Sequence, residues 1–239
     1  MENSRKLTFT TFVIAETALE LLPNELIHLD SIKKSARKKG KQPYRILLED
    51  SYHHKEMLSL KDSKKRGRPD ILHFSLLNLL GSPEILTNPS SYRILVHTYD
   101  DKIININPEI RLPRHYFRFV GLMEQLLEKG VIRSKEENLM EILHKSSLEN
   151  ELKNIPKERR ILFTSKGAKI DLFNLFKKNA KEDIALIVGG FPHGNFSKKI
   201  DNLSENKIAI ANLSLDAWIV ICRIMFLREM SLIRSNLYE

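Results

Sequence analysis

The chain has 239 residues, of which 42% are apolar and 29% charged, as is ordinary for a globular protein. That length suits one large domain, or one domain with an insertion. Its 39 Lys and Arg against 30 Asp and Glu give a net charge of +9, which favours a polyanionic partner, nucleic acid first. No apolar run approaches the roughly 20 residues that span a bilayer, and a single cysteine excludes a disulfide framework. We therefore expect a cytoplasmic protein with no membrane partner.

Short strands, short helices and basic segments alternate in the first third of the chain. Periodicity and breaker residues predict, in order, a strand over 8–14, a short helix over 16–22, a basic helix end or loop over 31–40, a strand over 45–48 and a basic loop over 61–68. A helix follows over 71–80, because Pro69 and Asp70 suit a first helical turn and Gly81 ends it. It is apolar nearly all round, so we expect it to be buried, with His73 as a core histidine.

The middle of the chain predicts a hairpin and two amphipathic helices. Strands over 92–98 and 102–107 flank Asp100 and Asp101. The helix over 119–129, closed by Gly130, has apolar residues at intervals of three and four: Tyr116, Phe119, Val120, Met123, Leu126 and Leu127. The charged segment 136–152 also predicts an amphipathic helix. The order of strands and helices indicates an α/β domain, with the hairpin at about 92–107 as an insertion.

Three predicted strands near the C-terminus end in small, polar loops. They cover 161–167, 185–188 and 208–215, and the second runs into Gly189, Gly190 and Gly194. Glycines allow close approach to the main chain, so these loops predict one cofactor crevice at the carboxyl ends of a parallel sheet. The last predicted helix, 217–227, is nearly all apolar and should pack on its own core and on a partner subunit, with Cys222 as a small core residue.

Other site types find little support. There is no Walker A sequence, no Gly-x-Gly-x-x-Gly and no Gly-x-Ser-x-Gly elbow. His53 and His54 are adjacent and therefore point to different sides of any regular element, and no further Cys or His lies at ligand spacing. We expect no metal site.

An arginine cluster is the most informative surface feature. Arg114 and Arg118 are predicted on one side of their helix, opposite its apolar stripe, and Arg111 precedes them. Such arginines near a helix N-terminus suit phosphate contacts, although a solvated basic face is equally consistent with the pattern. Arg68 with Asp70 is either a local ion pair that caps the helix or a carboxylate that fixes an arginine used for a ligand. Both roles are compatible.

Taken together, these motifs resemble the Nep/Emg ribosome-biogenesis family of archaeal-like SPOUT-class methyltransferases. The resemblance is carried by four runs, in the family's order: RPDILHFSLLN at 68–78, INPEIRLPR at 106–114, RFVGLMEQLL at 118–127 and VGGFPHG at 188–194. It implies a single SPOUT domain over 1–239, homodimeric, with a parallel sheet and a deep trefoil knot at about 160–227.

The resemblance also implies a function and a set of residues. The cofactor would be S-adenosylmethionine, and the substrate a pseudouridine in small-subunit ribosomal RNA, methylated at N1; ribosomal proteins of the small subunit are further expected partners. The RNA contacts fall on Arg68, Arg111, Arg114 and Arg118, with Asp70 holding Arg68. The cofactor residues are Thr164, Gly189, Gly194, Ile210, Ala211, Asn212, Leu213, Ser214 and Leu215.

The chemistry leaves three readings open. Pseudouridine carries a free N1–H, so alignment of nitrogen, methyl and sulfur could supply most of the catalysis. No residue stands out as a general base; Asp70 is the nearest candidate, but a structural role suits it better. The rivals are a non-catalytic RNA-binding assembly factor with a vestigial pocket, and a methyltransferase that acts on tRNA.

Overall fold

The computed structural model describes residues 9–135 and 137–236, with side chains through residue 232. Within these residues a single mixed sheet forms the centre of the molecule. Its eight strands are β1 (Thr10–Thr17), β2 (Tyr92–Thr98), β3 (Ile103–Ile106), β4 (Val131–Ser134), β5 (Glu137–Ile142), β6 (Arg160–Ala168), β7 (Ile184–Gly189) and β8 (Asn206–Ile208).

The strand order is β4-β5-β3-β2-β1-β7-β6-β8. Strands β2, β1, β7, β6 and β8 run parallel to one another, whereas β3, β5 and β4 continue the sheet beyond β2 in antiparallel fashion. Strand β1 lies near the middle and is buried along its whole length. Its side chains alternate between two cores, with Phe12 and Ile14 on one face and Val13 and Ala15 on the other.

Helices cover both faces of the sheet. They are α1 (Asn24–Ile27), α2 (Asp30–Lys38), α3 (Asp50–Met57), α4 (Pro69–Leu80), α5 (Pro83–Thr87), α6 (Tyr116–Lys129), α7 (Leu148–Leu152), α8 (Leu172–Lys178), α9 (Lys198–Asp201) and α10 (Ala217–Asn236). Helices α4, α6, α8 and α10 build the larger core, represented by Leu72, Phe119, Phe176 and Ile221. Helices α7 and α9 cover the opposite face, and α1 to α3 enclose a small core of their own. None of the described helices has the length and apolar character needed to cross a bilayer.

Several predicted elements are confirmed. Helices α4 and α6 and strands β6 and β7 lie where the periodicity placed them, and Gly130 ends α6 in the left-handed conformation at φ 79°. Strands β2 and β3 pair antiparallel across Asp100 and Asp101, as predicted. They are not an insertion, however, because β2 also pairs with β1 inside the central sheet. The first strand was predicted from Thr8, which lies outside the described residues. The basic segment 31–40 is largely α2.

Two early predictions are wrong because pairing with distant segments overrides local propensity. No helix forms over 16–22: Glu16 and Thr17 end β1, and the chain then runs extended. The predicted strand over 45–48 begins instead with a single helical turn at Pro43–Arg45. The following residues pair with the extended segment, because Leu22 N–H donates to the Ile46 carbonyl and Leu48 N–H to the Glu20 carbonyl.

The helix predicted over 136–152 is also wrong. Glu136 lies outside the described residues; β5 follows it and pairs with both β3 and β4. Helix α7 is short and starts only after Ser147, whose hydroxyl accepts a hydrogen bond from Asn150 N–H. The stretch 208–215, predicted as a short strand that ends in a polar turn, begins at the last residue of β8, Ile208. Ala209 N–H still donates to the Ala168 carbonyl of β6, and the turn follows, so the strand lies earlier and the turn is longer than predicted.

Cys222 is not the core residue that we expected. It lies on an exposed face of α10, with its Sγ 3.1 Å from Oδ1 of Asn78 on α4. The helix itself extends to Asn236, beyond the predicted end at 227. Phe226, one turn further along, is 60% exposed, so this part of α10 presents apolar surface to its surroundings.

Candidate functional site

A cavity of about 540 Å³ lies where the chain leaves β6, β7 and β8. Its walls come from residues 163–165 of β6, from the loop after β7 and from the loop that joins β8 to α10. We call these the 190–197 loop and the 209–216 loop. The parallel strands bring their carboxyl ends to one edge of the sheet, which is the usual position of a ligand site in such folds. The predicted crevice is therefore present as a cavity.

Eight of the nine residues predicted to hold a cofactor line this cavity. Asn212 is the exception, although both of its neighbours in the chain belong to the lining. The eight are Thr164, Gly189, Gly194, Ile210, Ala211, Leu213, Ser214 and Leu215. Within the described residues, the N–H groups of 210–215 make no backbone hydrogen bond. They remain available to a ligand.

The sequence interpretation missed the aromatic part of the lining. Phe191 and Phe196 meet edge to face, with ring centroids 5.3 Å apart, and both line the cavity. Trp218, from the first turn of α10, lines it as well and packs against Phe74 at 5.4 Å. Phe191 was part of a quoted motif, and Trp218 is the only tryptophan in the chain. Those two facts were the available signals.

Gly189 does not have the role that we expected, which was to let a ligand approach the main chain. A Cβ atom at Gly189 would stand 2.9 Å from Phe191 and 3.1 Å from Phe196, so its missing side chain makes room for those two rings. Gly194 has φ +103°, a conformation that L-residues rarely adopt. It allows the sharp turn in the 190–197 loop.

Arg68 and Asp70 form a paired contact at the start of α4. Arg68 Nε and Nη2 donate to the two carboxylate oxygens of Asp70 at 2.8 and 2.7 Å. This hydrogen bond raises the pKa of Arg68, and burial opposes the rise. Because both oxygens of Asp70 accept from Arg68, the geometry favours the positioning role of Asp70 over a role as general base. Ile71, the next residue, lines the cavity, so this pair stands at its edge.

The other three arginines are exposed but do not share one helix face. Arg111 and Arg114 precede α6, which begins at Tyr116, so only Arg118 is helical and the predicted placement of Arg114 is wrong. The extended segment is nevertheless fixed: the Pro113 carbonyl lies 2.7 Å from His73 Nε2. The His73 ring in turn stacks on Phe119 at 4.3 Å, which confirms it as a core histidine.

Tyr116 joins this segment to the N-terminal region. Its hydroxyl donates to the buried carboxylate of Glu49 at 2.7 Å. Burial raises the pKa of Glu49, and the hydrogen bond from Tyr116 partly offsets that rise. The Tyr116 ring also lies 5.9 Å from the ring of His73 on α4, so the start of α6 lies close to α4. The two arginine-bearing segments are thus neighbours in space.

A family model described as EMG1/NEP1 methyltransferase matches residues 12–229. The chain belongs to this family. The resemblance drawn from the sequence motifs is therefore confirmed.

Relatives within the EMG1/NEP1 family cover nearly all of the chain. "Ribosomal RNA small subunit methyltransferase Nep1" of Staphylothermus marinus is 41% identical over 215 residues, 90% of this chain and 93% of that protein. The protein of the same name from Saccharolobus solfataricus is 40% identical over 213 residues, 89% of this chain and 93% of that one. The crystal structure of Archaeoglobus fulgidus Nep1 bound to S-adenosylhomocysteine has a TM-score of 0.85 and 34% identity, covering 94% of this chain and 99% of that one.

The adjacent histidines of this EMG1/NEP1 chain have separate structural roles. His53 is buried, and its Nδ1 accepts a hydrogen bond from Glu49 N–H at 3.0 Å. Burial lowers the pKa of His53 to about 4. His54 is exposed and contacts Asp50 at 2.8 Å. Within the described ranges, no three His, Cys, Asp or Glu side chains group in a way that could hold a metal ion.

Proposed function

We propose that this protein transfers a methyl group from S-adenosylmethionine to N1 of a pseudouridine in small-subunit ribosomal RNA. The observation that carries the proposal is the junction at the start of α4. There the Arg68–Asp70 pair, suited to RNA, adjoins Ile71, which lines the cavity suited to the methyl donor. Donor and acceptor sites in contact are what a group transfer between two ligands requires.

The cavity fits S-adenosylmethionine in size and in chemistry. At about 540 Å³ it falls within the range of roughly 300–1,000 Å³ found for small-molecule sites. Its apolar and aromatic side chains suit an adenine ring, and the N–H groups of 210–215, which make no backbone hydrogen bond, suit the polar edges of the ligand. A relative of 34% identity binds S-adenosylhomocysteine, the product that remains when the donor has lost its methyl group.

The arginine surface fits an RNA loop. Arg111, Arg114 and Arg118 are exposed, and Arg68 is held by Asp70 with its side chain 39% exposed. Guanidinium groups bind phosphates in two-pronged fashion and stack on bases. Unpaired bases in loops are the usual targets of sequence-specific RNA recognition. The net charge of +9 adds attraction for any RNA, and the relatives named above carry ribosomal RNA in their names.

The choice of pseudouridine follows from its chemistry. Its ribose is joined through carbon, so N1 bears a hydrogen and can accept a methyl group, whereas N1 of uridine is bonded to the sugar. S-adenosylmethionine supplies a methyl group already activated by a positively charged sulfur. The protein must then hold the base against the donor and leave the N1–H a path along which its proton passes to solvent water. With both oxygens of Asp70 engaged by Arg68, positioning is the larger contribution.

Two structural features complete the proposal. The apolar surface on α10 and α4, formed by Phe74, Trp218, Cys222 and Phe226, is the surface through which we expect a second copy to dock.

The C-terminal segment of about 160–227 is proposed to thread a trefoil knot. Its parallel strands β7, β6 and β8 and the loops that enclose the cavity are consistent with that topology.

Matched RNA oligomers test the proposal directly. The target loop is synthesised with pseudouridine, or with uridine at the same position, and incubated with the protein and labelled S-adenosylmethionine. We expect methylation only of the pseudouridine oligomer. Equal methylation of both would contradict the N1 assignment, and stronger activity on tRNA would favour the tRNA alternative. Calorimetry with S-adenosylmethionine separates the assembly-factor alternative, because a vestigial pocket would show no binding.

A further inference from the structure

Glu16 stands at an irregularity in the central strand. Strand β1 pairs Ile14 with Val96 and Thr17 with Thr98, so two residues of β1 oppose one residue of β2. Glu16 is one of the two and has φ 51°, in the left-handed region that non-glycine residues seldom occupy. Such a conformation costs about 1–3 kcal/mol and persists only where surrounding contacts maintain it. Its N–H donates to the side-chain Nδ1 of His97 at 3.1 Å instead of to a backbone carbonyl of a neighbouring strand.

The carboxylate of Glu16, at the end of β1, holds the 190–197 loop in place. Oε1 accepts a hydrogen bond from Ser197 N–H at 3.0 Å, at the end of the loop where α9 begins. Oε2 accepts from Lys65 Nζ at 2.7 Å. Glu16 is buried, and the Lys65 side chain is 18% exposed. A buried carboxylate that accepts two such bonds is firmly oriented.

Lys65 extends this hold to the cavity wall. Its ammonium lies 4.3 Å from the centre of the Phe191 ring. Its methylene chain packs on Gly194, where an added Cβ would stand 3.2 Å from Lys65 Cε. Phe191 and Gly194 both line the cavity. Glu16 thus contacts the end of the loop directly, and Lys65, which it holds, contacts the beginning and the middle.

We propose that Glu16, acting through Lys65, is a positioning residue for S-adenosylmethionine: it holds the 190–197 loop in the shape that binds the donor. The inference rests on the proposed function. It gives the strained residue in β1 a role, since Glu16 in this conformation reaches both Lys65 and Ser197. The backbone strain is confined to Glu16. It is offset by the contacts that hold the 190–197 loop, which has no helix or strand of its own.

The experiment measures S-adenosylmethionine affinity by calorimetry and steady-state methylation kinetics for Glu16→Gln, Lys65→Met, the double variant and Lys65→Arg. Glutamine still accepts from Ser197 but loses the ion pair. We expect either single variant to raise Kd and KM for the donor about tenfold, with kcat at saturating donor reduced less than about threefold. The donor Kd of the double variant should be at most about twofold higher than that of either single variant, because both substitutions remove the same ion pair. Lys65→Arg, which retains the charge, should restore most of the affinity.

Glu20→Gln is the matched control. Glu20 and Arg66 form a neighbouring buried pair at 2.7 Å in the same segment, and Arg66 otherwise contacts Lys61 and Tyr99, outside the cavity lining. We expect this variant to lose stability but to bind the donor normally. The inference is overturned if Glu16→Gln and Lys65→Met bind the donor like the wild type, or if Glu20→Gln weakens binding equally. Absence of donor binding by the wild type would instead overturn the proposed function itself. Should Glu16→Gln not fold, the Lys65 variants decide the question alone.

Discussion

Arg68 and Asp70 face each other across one residue at the start of α4, and both carboxylate oxygens of Asp70 accept from the guanidinium. The pair is only partly buried, so its contribution to stability is at most about 1 kcal/mol. For the proposed RNA contact its value lies in orientation, because a guanidinium held by two bonds points in one direction.

Asp70→Asn is predicted to weaken RNA binding and leave donor binding intact. Asparagine has nearly the same shape, but it loses the charge and one acceptor, so Arg68 is released. We expect the Kd for the target RNA to rise about three- to tenfold and methylation at low RNA concentration to fall equally. Electrophoretic mobility shift and calorimetry with S-adenosylmethionine measure the two affinities. An unchanged RNA Kd together with a large loss of kcat would point back to Asp70 as a proton acceptor.

Arg114→Ala is predicted to weaken RNA binding in a salt-dependent manner. If Arg114 contacts a phosphate, the slope of log K against log salt should fall by about one unit, with a similar loss for every RNA sequence. Lys153→Ala is the control, since Lys153 is exposed at the end of α7 on the opposite face of the sheet from α6. An identical slope for both variants would remove Arg114 from the interface.

The elements that the sequence predicted well are those whose signal is local. Helix α6 has an apolar stripe and a glycine end, and β7 is a continuous buried run before glycines. The helix predicted over 136–152, after β4, is wrong because its structure depends on distant segments. Glu137, Glu141 and their neighbours have helical charge spacing, but hydrogen bonds from β3 and β4 on either side hold the segment as β5. Pairing between distant segments leaves no local mark.

The same limit applies to the cavity. Its loops follow predictable strand ends, so eight predicted residues fall on its lining. Phe191, Phe196 and Trp218 come together only through the path of the chain from β7 to α10, which periodicity does not specify. The Glu16–Lys65 contact joins residues 49 positions apart. A helix predicted over 16–22 would have placed that carboxylate elsewhere.

Gly194→Ala is predicted to weaken donor binding more than its backbone strain alone would. At φ +103° an alanine is strained, and its Cβ would press on Lys65. Gly40→Ala is matched for positive φ, at +63°, but has no atom within 4 Å of the added Cβ. We expect Gly40→Ala to lose about 1 kcal/mol of stability and Gly194→Ala more than that, and only Gly194→Ala to raise the donor Kd by about fivefold or more. Equal donor binding by the two would show that the turn at Gly194 is dispensable to the site.

Acid should destabilise the fold partly through His53. Burial, with some repulsion from Lys39, lowers the pKa of His53 from 6.5 to about 4. Between these two values the unfolded chain binds a proton that the folded chain excludes, so stability falls as pH decreases from 6.5 to 4. Glu49 acts in the opposite sense, because burial raises its pKa and protonation relieves that cost. Only a comparison between variants isolates the histidine.

His53→Asn provides that comparison, because its Oδ1 can accept the hydrogen bond from Glu49 N–H in place of Nδ1. We expect the variant to be less stable than the wild type at pH 7.5. Between pH 7 and pH 4.5, however, its free energy of unfolding should fall by roughly 1–3 kcal/mol less than that of the wild type. Urea unfolding at each pH gives the free energies. The exposed His54, replaced in the same way, should leave the pH dependence as it is, and a similar effect from both would contradict the role of burial.

Phe226→Glu is predicted to separate the proposed homodimer. Phe226 is 60% exposed on α10, in a surface that also includes the 47% exposed Phe74, and a carboxylate there would be buried without a partner if two copies dock. Light scattering after size exclusion should show a dimer for the wild type and a monomer for the variant. Leu58→Glu is the control, because Leu58 is 69% exposed next to α3, far along the chain from α10. A wild-type monomer, or a dimer that survives Phe226→Glu, would exclude this surface as the interface.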